Sequence, residues 1–227
     1  MVNPMNFQTE DVGIGTGVYE AIRKDIIFGI LLPASKLKLE TLRDSYGVSV
    51  STIREALNRL TTEELVVAEG QRGFFVAPVS AKNLREIADL RILLESHALK
   101  LSFEAGDTEW EGVVVAAHHK LRRMEERLQK GDLSIKETWK QYDWEFHQAL
   151  ILACGSASLL SVHGAVFDKY LRYQMRLLTF RGENSAREHQ ALLDAALDRN
   201  AAEAQAILRH HIEGGVEHAL AQGNLTN

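Results

Sequence analysis

The feature that most restricts the fold of this 227-residue chain is the position of its three prolines, none of which lies beyond Pro78. From Ser80 onward the sequence also lacks the apolar–polar alternation of a half-buried strand. Proline breaks or kinks a helix when it lies in the helix interior. The absence of proline after Pro78 therefore favours a region that is entirely helical. Pairs of breaking residues divide this region into about six helices, which predicts a helical bundle. The breakers are Gly106-Asp107, Gly131-Asp132, Gly155-Ser156, Arg181-Gly182 and Arg199-Asn200.

The residues before Pro78 follow a different pattern. Residues 1–15 are polar and aperiodic, and they are predicted to form a loose arm. Apolar spacing then predicts helices over Val18–Gly29 and Leu39–Tyr46, and a third helix within Tyr46–Leu65. Three helices with a tight glycine turn before the last one indicate a helix-turn-helix.

The third predicted helix has two chemically different faces. Ile53, Ala56, Leu57 and Leu60 recur at three- and four-residue steps and form a packing face. The opposite face carries Ser51, Thr52, Arg54, Asn58 and Arg59. Small hydroxyl residues and an arginine at a helix start are typical of a recognition helix in a DNA major groove. The alternative is an ordinary solvated amphipathic helix.

Behind this helix, short apolar runs at Leu65–Val67 and Phe74–Ala77 flank a glycine-containing turn and predict a β-hairpin. A hairpin behind a recognition helix is a wing, and Arg72 at its tip would reach a phosphate or a minor groove. The alternative is a structural hairpin that only closes the core. The expected organisation is a winged helix-turn-helix over residues 16–78, with three helices and a hairpin, followed by an all-helical domain over residues 79–227.

Charge restricts how such a protein binds DNA. The net charge of −5 and the pI near 6.0 argue against binding through bulk electrostatics. Residues 16–78 hold eight lysines and arginines against eight aspartates and glutamates. A phosphate-binding surface must therefore come from local placement, and dimerisation would double its contacts.

Cysteine usage and hydropathy indicate the compartment. The single cysteine, Cys154, excludes an internal disulfide framework and is typical of a reducing cytoplasm. The sequence has no uninterrupted apolar run of about 18 residues and no charged-then-apolar signal pattern at its N-terminus. We therefore predict a cytoplasmic protein without membrane association.

An arginine lies on an apolar stripe of the first helix after Pro78. Arg91 is in register with Leu84 and Ala98, where an unpaired buried charge would be very costly. Glu95, four residues later, offers one partner. The alternative is that Arg91 faces an internal cavity and binds a carboxylate in bidentate fashion.

Four side chains of metal-ligand type lie on predicted inner faces of the bundle. Asp143 and His147 are four residues apart on one apolar face, so their side chains converge. His189 and His211 occupy the apolar faces of two later helices. Together they form an Asp/His₃ set suited to a divalent transition metal. The alternative for each histidine, and for His163 nearby, is a hydrogen-bonded core residue.

The segments GVSVSTIREALNRL and RGFFVA resemble the winged-helix domain of the GntR family of bacterial regulators, over Thr16–Pro78. That family usually begins the recognition helix with Ser-Arg-Thr-Pro-Val-Arg-Glu-Ala-Leu, whereas this chain has Val50 for the first arginine and Thr52 for the proline. The resemblance implies a homodimer on a palindromic operator in double-stranded DNA. The candidate DNA-binding residues are Lys38, Ser49, Ser51, Thr52, Arg54, Arg72 and Gly73.

Ser80–Gln222 resembles the all-helical FCD effector domain of the FadR-type branch of that family. Many of its members bind a metal through Asp-x₃-His on one helix and single histidines on two later helices. These positions are matched by Asp143, His147, His189 and His211. The resemblance implies zinc, with nickel and manganese as alternatives, and a small organic acid, such as a glutarate-like dicarboxylate. The acid would complete the metal's coordination while Arg91 binds another part of it. Ser156 replaces a common asparagine, which puts one hydrogen bond near the site in doubt.

The expected function is that of a ligand-responsive transcriptional regulator, in particular a repressor. One alternative is a metal-dependent hydrolase in which the four ligands hold an ion that activates water. That reading has no obvious general base and gives the winged helix no role. The other alternative is a metal-ion sensor that responds to the ion without an organic effector.

Overall fold

The computed structural model describes residues 14–177 and 180–222. The chain forms two compact units that divide between Pro78 and Val79. Most of the predicted arm, residues 1–13, lies outside the described residues. Ile14 and Gly15, which were expected to end that arm, already belong to the first helix. Helix ends commonly differ by one or two residues from their predicted positions.

The N-terminal unit consists of three helices and a small antiparallel sheet. The helices are α1 (Ile14–Ile27), α2 (Leu39–Tyr46) and α3 (Val50–Thr62), and the strands are β1 (Lys36–Leu37), β2 (Val66–Ala68) and β3 (Phe74–Val76). The sheet order is β1-β3-β2, with both pairs antiparallel. This architecture confirms the predicted winged helix-turn-helix.

The sequence predicted a two-stranded hairpin and missed β1. A strand of two residues has no detectable alternation, and its pairing with β3 joins segments far apart in the sequence. Lys36 pairs with Phe75 and Leu37 with Phe74. Because the Leu37 side chain is buried, β1 also contributes to the core of this unit.

The turn between α2 and α3 determines how the third helix is presented. Gly47 ends α2 in the left-handed region at φ 67°, and its N–H donates to the carbonyl of Arg43 at 2.9 Å. Ser49 caps α3 by accepting a hydrogen bond from the backbone N–H of Thr52 at 3.1 Å. The apolar face of α3, which includes the fully buried Ile53, packs on α1. The polar face of α3 is therefore turned outward.

The C-terminal unit is a bundle with six α-helices in its described part. They are α4 (Ala81–Ala105), α5 (Thr108–Gln129), α6 (Lys136–Ile151), α7 (Ala157–Leu177), α8 (Glu183–Leu197) and α9 (Ala201–Gln222). Each of the five predicted breakers lies at a junction between two of these helices, which confirms the predicted all-helical architecture.

The core of the bundle forms where α4 packs on α6, α7 and α9, and where α5 packs on α6 and α8. Apolar residues such as Trp139, Phe146 and Leu208 fill this interior. Among the described helices, none has both the length and the apolar composition needed to cross a lipid bilayer. The same interior also buries a group of charged and imidazole side chains, and that group is the candidate site.

Candidate metal centre and nucleic-acid interface

Four buried ligand-type side chains meet inside the helical bundle. Asp143 and His147 project from α6, His189 from α8 and His211 from α9. Each offers one ligand atom, and these atoms all lie within 4.8 Å of one another. The structure therefore brings together the four residues that the sequence selected from three separate helices.

Each of the three histidines is held by a carboxylate from another part of the bundle. The Nδ1 atom of His147 lies 3.1 Å from Glu95 of α4. The Nδ1 atom of His189 lies 2.7 Å from Glu125 of α5. The Nδ1 atom of His211 lies 2.7 Å from Glu188 of α8. Carboxylates in this position fix the tautomer and the ring orientation of a ligating histidine and leave Nε2 available for the metal.

Buried histidine nitrogens that lack a hydrogen-bond partner show whether these residues fit a metal. The Nε2 atoms of His147 and His189 are buried and have no hydrogen-bond partner in the described part of the chain. The Nε2 atom of His189 does lie 3.3 Å from the carboxylate of Asp143, as neighbouring ligands of one ion would. Buried polar nitrogens without a partner are costly, and a metal would satisfy them. The Asp/His₃ donor set thus fits a divalent transition metal such as zinc.

The charges around the cluster favour the protonation states that bind metals. Burial alone would raise the pKa of Asp143, but Lys140, 3.3 Å away, and the neighbouring His189 hold that pKa well below its usual range. Burial lowers the pKa of His211 to about 3, and burial together with the nearby guanidinium of Arg91 lowers that of His147. An ionised carboxylate and neutral imidazoles are the forms that ligate an ion.

His189 is the exception among the three histidines. Burial opposes its protonation, but the carboxylates of Asp143 and Glu125 outweigh that effect and raise its pKa to about 9. An incoming metal would therefore displace a proton from His189.

Sequence reasoning missed three charged residues of this centre, namely Glu125, Lys140 and Glu188. Glu125 is 1% exposed and lies on an apolar stripe of α5 between Leu121 and Leu128. A charged residue on such a stripe is the same indication that drew attention to Arg91, and it would have identified Glu125. Lys140 lies one turn before Asp143 on α6, so helical spacing alone would have placed it beside that ligand. Glu188 carries no comparable signal, because its contact with His211 of α9 arises only through the fold.

Arg91 is buried and paired within the chain. Its Nε atom donates to Glu95 at 2.5 Å, and its guanidinium carbon lies 4.3 Å from the ring centre of Phe167. Glu95 also accepts from His163, whose Nε2 lies 2.6 Å away. The structure thus realises the Glu95 partner for Arg91 and the hydrogen-bonded core role for His163. Glu95 joins both residues to the ligand His147.

The exposed face of α3 forms the candidate nucleic-acid interface. Ser51 and Arg54 are exposed, Thr52 is half-buried, and Arg54 forms no ion pair within the described residues. An open surface groove runs along this face, lined by Ser51, Arg54, Glu55, Asn58, Arg59 and Thr62. The hydroxyl of Ser49 is engaged as the helix cap and contacts Ser51 at 2.7 Å. The sequence allows either Ser49 or Ser51 to cap this helix, and the structure shows that Ser49 does so.

The other candidates lie outside α3. Arg72 lies at the wing tip with its side chain 75% exposed, and it pairs with Glu69 at 2.6 Å. Gly73 follows it at φ 93°, a conformation that side chains rarely adopt. Lys38 is exposed immediately before α2. Lys38 and Arg72 place positive charge at the surface of a domain that is neutral overall, and that of Arg72 is partly offset by Glu69.

A winged helix with an exposed polar face, followed in the chain by a helical bundle that encloses an Asp/His₃ cluster, is the domain combination of a DNA-binding regulator. The family model of the gntR bacterial regulatory proteins matches residues 15–76, and that of the FCD domain matches residues 86–214. The chain belongs to the GntR family, in its FadR-type branch, and is a DNA-binding transcriptional regulator. GntR regulators bind DNA operators and generally act as dimers, and FCD domains often bind metals.

The curated relatives are named as transcriptional regulators rather than as enzymes. BphR, an HTH-type transcriptional regulator of Paraburkholderia xenovorans LB400, is 39% identical over 202 residues, which cover 87% of this chain and 82% of BphR. The HTH-type transcriptional repressor GlaR of Escherichia coli K12 is 33% identical over 204 residues, which cover 86% of this chain and 90% of GlaR.

Solved structures share the fold. Escherichia coli McbR/YncC superposes with a TM-score of 0.78 at 20% identity, over 93% of this chain and 99% of that one. A GntR-type regulator from Rhodococcus sp. RHA1 gives a TM-score of 0.75 at 22% identity, over 92% and 99% of the two chains. The folds of both units thus occur in other solved structures.

Proposed function

We propose that the protein is a repressor whose helical unit binds a divalent transition metal and, at that metal, a small organic acid that alters DNA affinity. The observation that carries this proposal is the convergence of His147, His189 and His211 on Asp143, with every histidine Nδ1 held by a separate carboxylate. Three second-layer carboxylates aligned in this way are what a ligating histidine set requires. Core histidines would also need hydrogen-bond partners, but their remaining ligand atoms would not need to lie together beside Asp143.

Each residue of the centre then has a defined task. Asp143, His147, His189 and His211 would hold the ion, with zinc favoured by the donor set and nickel and manganese as alternatives. The bound ion would supply a Lewis-acidic position for a carboxylate oxygen of the effector. Arg91, 1% exposed and stacked on aromatic rings, would bind another part of the effector by exchanging its bond to Glu95 for one to the ligand.

DNA recognition would come from α3 and the wing. In this proposal Ser51, Thr52 and Arg54 contact base edges and phosphates in the major groove, while Lys38 and the Arg72–Gly73 tip contact the flanking backbone. A homodimer would place two such units on a palindromic operator. The effector alters DNA affinity only if it binds the DNA-competent and DNA-incompetent states with different affinity, and this coupling is reciprocal. Repression is supported by relatives named as repressors, among them GlaR and the gluconate operon repressor of Bacillus subtilis.

The test is fluorescence anisotropy with the DNA upstream of the protein's own gene, measured across a salt series with unrelated competitor DNA. We expect binding that survives the competitor, weakens steeply with salt, and is changed by short organic acids only in metal-loaded protein. A response to the metal alone, with no acid, would favour the metal-ion sensor. Affinity equal to that for unrelated DNA would contradict recognition of this site.

A further inference from the structure

Arg59, in the second half of α3, has a charge that no described residue of the protein neutralises. Its guanidinium carbon lies 3.9 Å from the ring centre of Tyr19 on α1. Glu55 lies four residues before it and Glu63, the C-cap, four residues after it, and such spacing usually pairs opposite charges. Within the described part of the chain, Arg59 forms an ion pair with neither, and its guanidinium has no hydrogen-bond acceptor. The N–H donors of this exposed side chain are therefore available to an external anion.

The acidic partner that follows Arg59 on α3 is occupied by α1 instead. Glu63 accepts a hydrogen bond from the hydroxyl of Tyr19, and it also pairs with Arg23 at 2.9 Å. Burial, together with the bond to Glu63, raises the pKa of Tyr19 to about 12, so the hydroxyl stays protonated and donates. Tyr19 is 8% exposed, and its ring is a platform for a planar guanidinium. Helix α1 thus fixes the position of Arg59 without compensating its charge.

Arg59 lies at one edge of the groove that runs along the exposed face of α3. At about 100° per residue, Ser51, Asn58 and Thr62 lie within about 20° of one line along the helix. Arg54 lies about 60° to one side of this line, and Arg59 lies about 80° to the other side. A helix in the major groove directs its central line at base edges, while its two sides face the phosphates that border the groove. Arg59 is therefore placed towards a phosphate backbone, on the side of α1.

A phosphate suits this guanidinium better than any other group of the DNA. Arginine binds phosphate through two parallel N–H donors, and a stacked side chain loses little conformational freedom when it does so. The groove is lined by two arginines and one acidic residue, Glu55, so its net charge is positive. A phosphate contact carries affinity without sequence preference. In a winged helix that is neutral overall, one such contact contributes a large share of the electrostatic affinity.

We propose that Arg59 binds a backbone phosphate in each half-site of the operator, and that Tyr19 is the positioning residue that orients its guanidinium. This inference rests on the proposed DNA recognition by α3. It adds to that recognition a contact that is independent of sequence, beside the sequence-dependent contacts of Arg54.

The test is fluorescence anisotropy of the full-length protein with the DNA upstream of its own gene and with unrelated DNA, each across a salt series. Arg59→Gln removes the charge, and Arg59→Lys keeps the charge but loses the planar fork. The matched control is Arg43→Gln, because Arg43 is also exposed but is paired with Glu40 and Asp44. Thermal unfolding of each variant checks that it is folded.

Arg59→Gln should weaken binding to both DNAs by the same factor, about tenfold, as the loss of charge-assisted hydrogen bonds does. Because a dimer loses two phosphate contacts, the slope of log K against log salt should become shallower by about 1.8. Arg59→Lys should keep the wild-type slope, and Arg43→Gln should change neither the affinity nor the slope.

Three results with Arg59→Gln would overturn the inference. Unchanged affinity would remove the contact. A loss confined to the upstream DNA would make Arg59 a base-reading residue. A loss with a lower melting temperature and an unchanged salt slope would make it a structural residue. Equal wild-type affinity for the two DNAs would instead overturn the proposed operator recognition, and the measurements on unrelated DNA would still decide the role of Arg59.

Two substitutions of Tyr19 test the platform. Tyr19→Phe keeps the ring and loses the bond to Glu63, so stability should fall while the affinity for either DNA changes less than about twofold. Tyr19→Leu removes the ring and should weaken binding about threefold, as the loss of an exposed cation–π contact does, but only where Arg59 is present. An equal loss in the Arg59→Gln background would overturn the positioning role. The Arg59 variants decide the phosphate contact even where Tyr19→Leu is unfolded.

Discussion

The two candidate sites of this regulator are built in opposite ways. The nucleic-acid interface consists of exposed side chains that follow one another along α3, and its geometry depends on one glycine turn and one helix cap. The metal centre consists of buried side chains from α6, α8 and α9, each oriented by a partner on yet another element. A local surface tolerates the loss of one contact, whereas a buried network transmits the loss to every member. The substitutions below test this difference.

The largest effect is expected from a ligand substitution inside the buried network. His211→Ala should abolish the stabilisation by Zn²⁺, which for the wild-type protein at a metal concentration 1,000 times Kd is about 4 kcal/mol. His210→Ala is the matched control, because His210 is adjacent in sequence but its side chain is 78% exposed. The measurement is thermal unfolding with and without Zn²⁺. Equal metal stabilisation of the two variants would remove His211 from the centre.

A substitution on the exposed face of α3 should have a large effect on DNA affinity and none on stability. Arg54→Ala should weaken operator binding by about 3 kcal/mol, since each lost base contact costs about 1–3 kcal/mol and a dimer would lose one in each of its two half-sites. Because Arg54 is exposed and makes no ion pair within the described residues, thermal stability should not change. Arg43→Ala serves as the control, because Arg43 is also exposed but is paired with Glu40 and Asp44. Anisotropy with operator and unrelated DNA measures both, and retained specific affinity in Arg54→Ala would contradict its role.

These two sites also differ in what the sequence reveals. The winged helix and the six helices of the bundle follow from local spacing, breakers and caps, and the structure confirms them. The ligands Asp143 and His147 share one helix face, so their convergence is visible in the sequence. The carboxylates that hold the histidines are not, because Glu95 lies 52 positions from His147 and Glu125 lies 64 from His189. Only the packing of the helices brings them together.

The second layer of the centre should give an intermediate effect. Glu125→Gln keeps the size of the side chain but removes the charge that faces His189 at 2.7 Å. Substitutions of such partners reduce metal affinity about 10- to 100-fold, which is about 2 kcal/mol. Glu126→Gln is the adjacent control, since Glu126 forms surface ion pairs with Arg122 and Arg123. Competition with a chelator measures the affinities. A loss no greater than that of Glu126→Gln would show that Glu125 does not support the site.

The smallest effect separates two roles of Ser49. The sequence placed Ser49 among the DNA-binding residues and also, with Ser51, among the possible caps of α3, and the structure shows it as the cap. Ser49→Ala should lower stability by about 1 kcal/mol, because the N–H of Thr52 loses its acceptor. Ser49→Asp keeps a good cap and favours the helix dipole, but it adds a negative charge at the end of the recognition helix.

If Ser49 both caps α3 and lies at the DNA surface, its two variants should rank in opposite orders for stability and for DNA affinity. Stability should rank wild type and Ser49→Asp together above Ser49→Ala, whereas DNA affinity should rank Ser49→Asp lowest because its carboxylate repels phosphate. Equal DNA affinity of Ser49→Asp and wild type would place this end of α3 away from DNA. Equal stability of Ser49→Ala and wild type would remove the cap as the reason for a serine here. Because the two substitutions act on one atom position, the pair distinguishes fold from recognition within a single turn of helix.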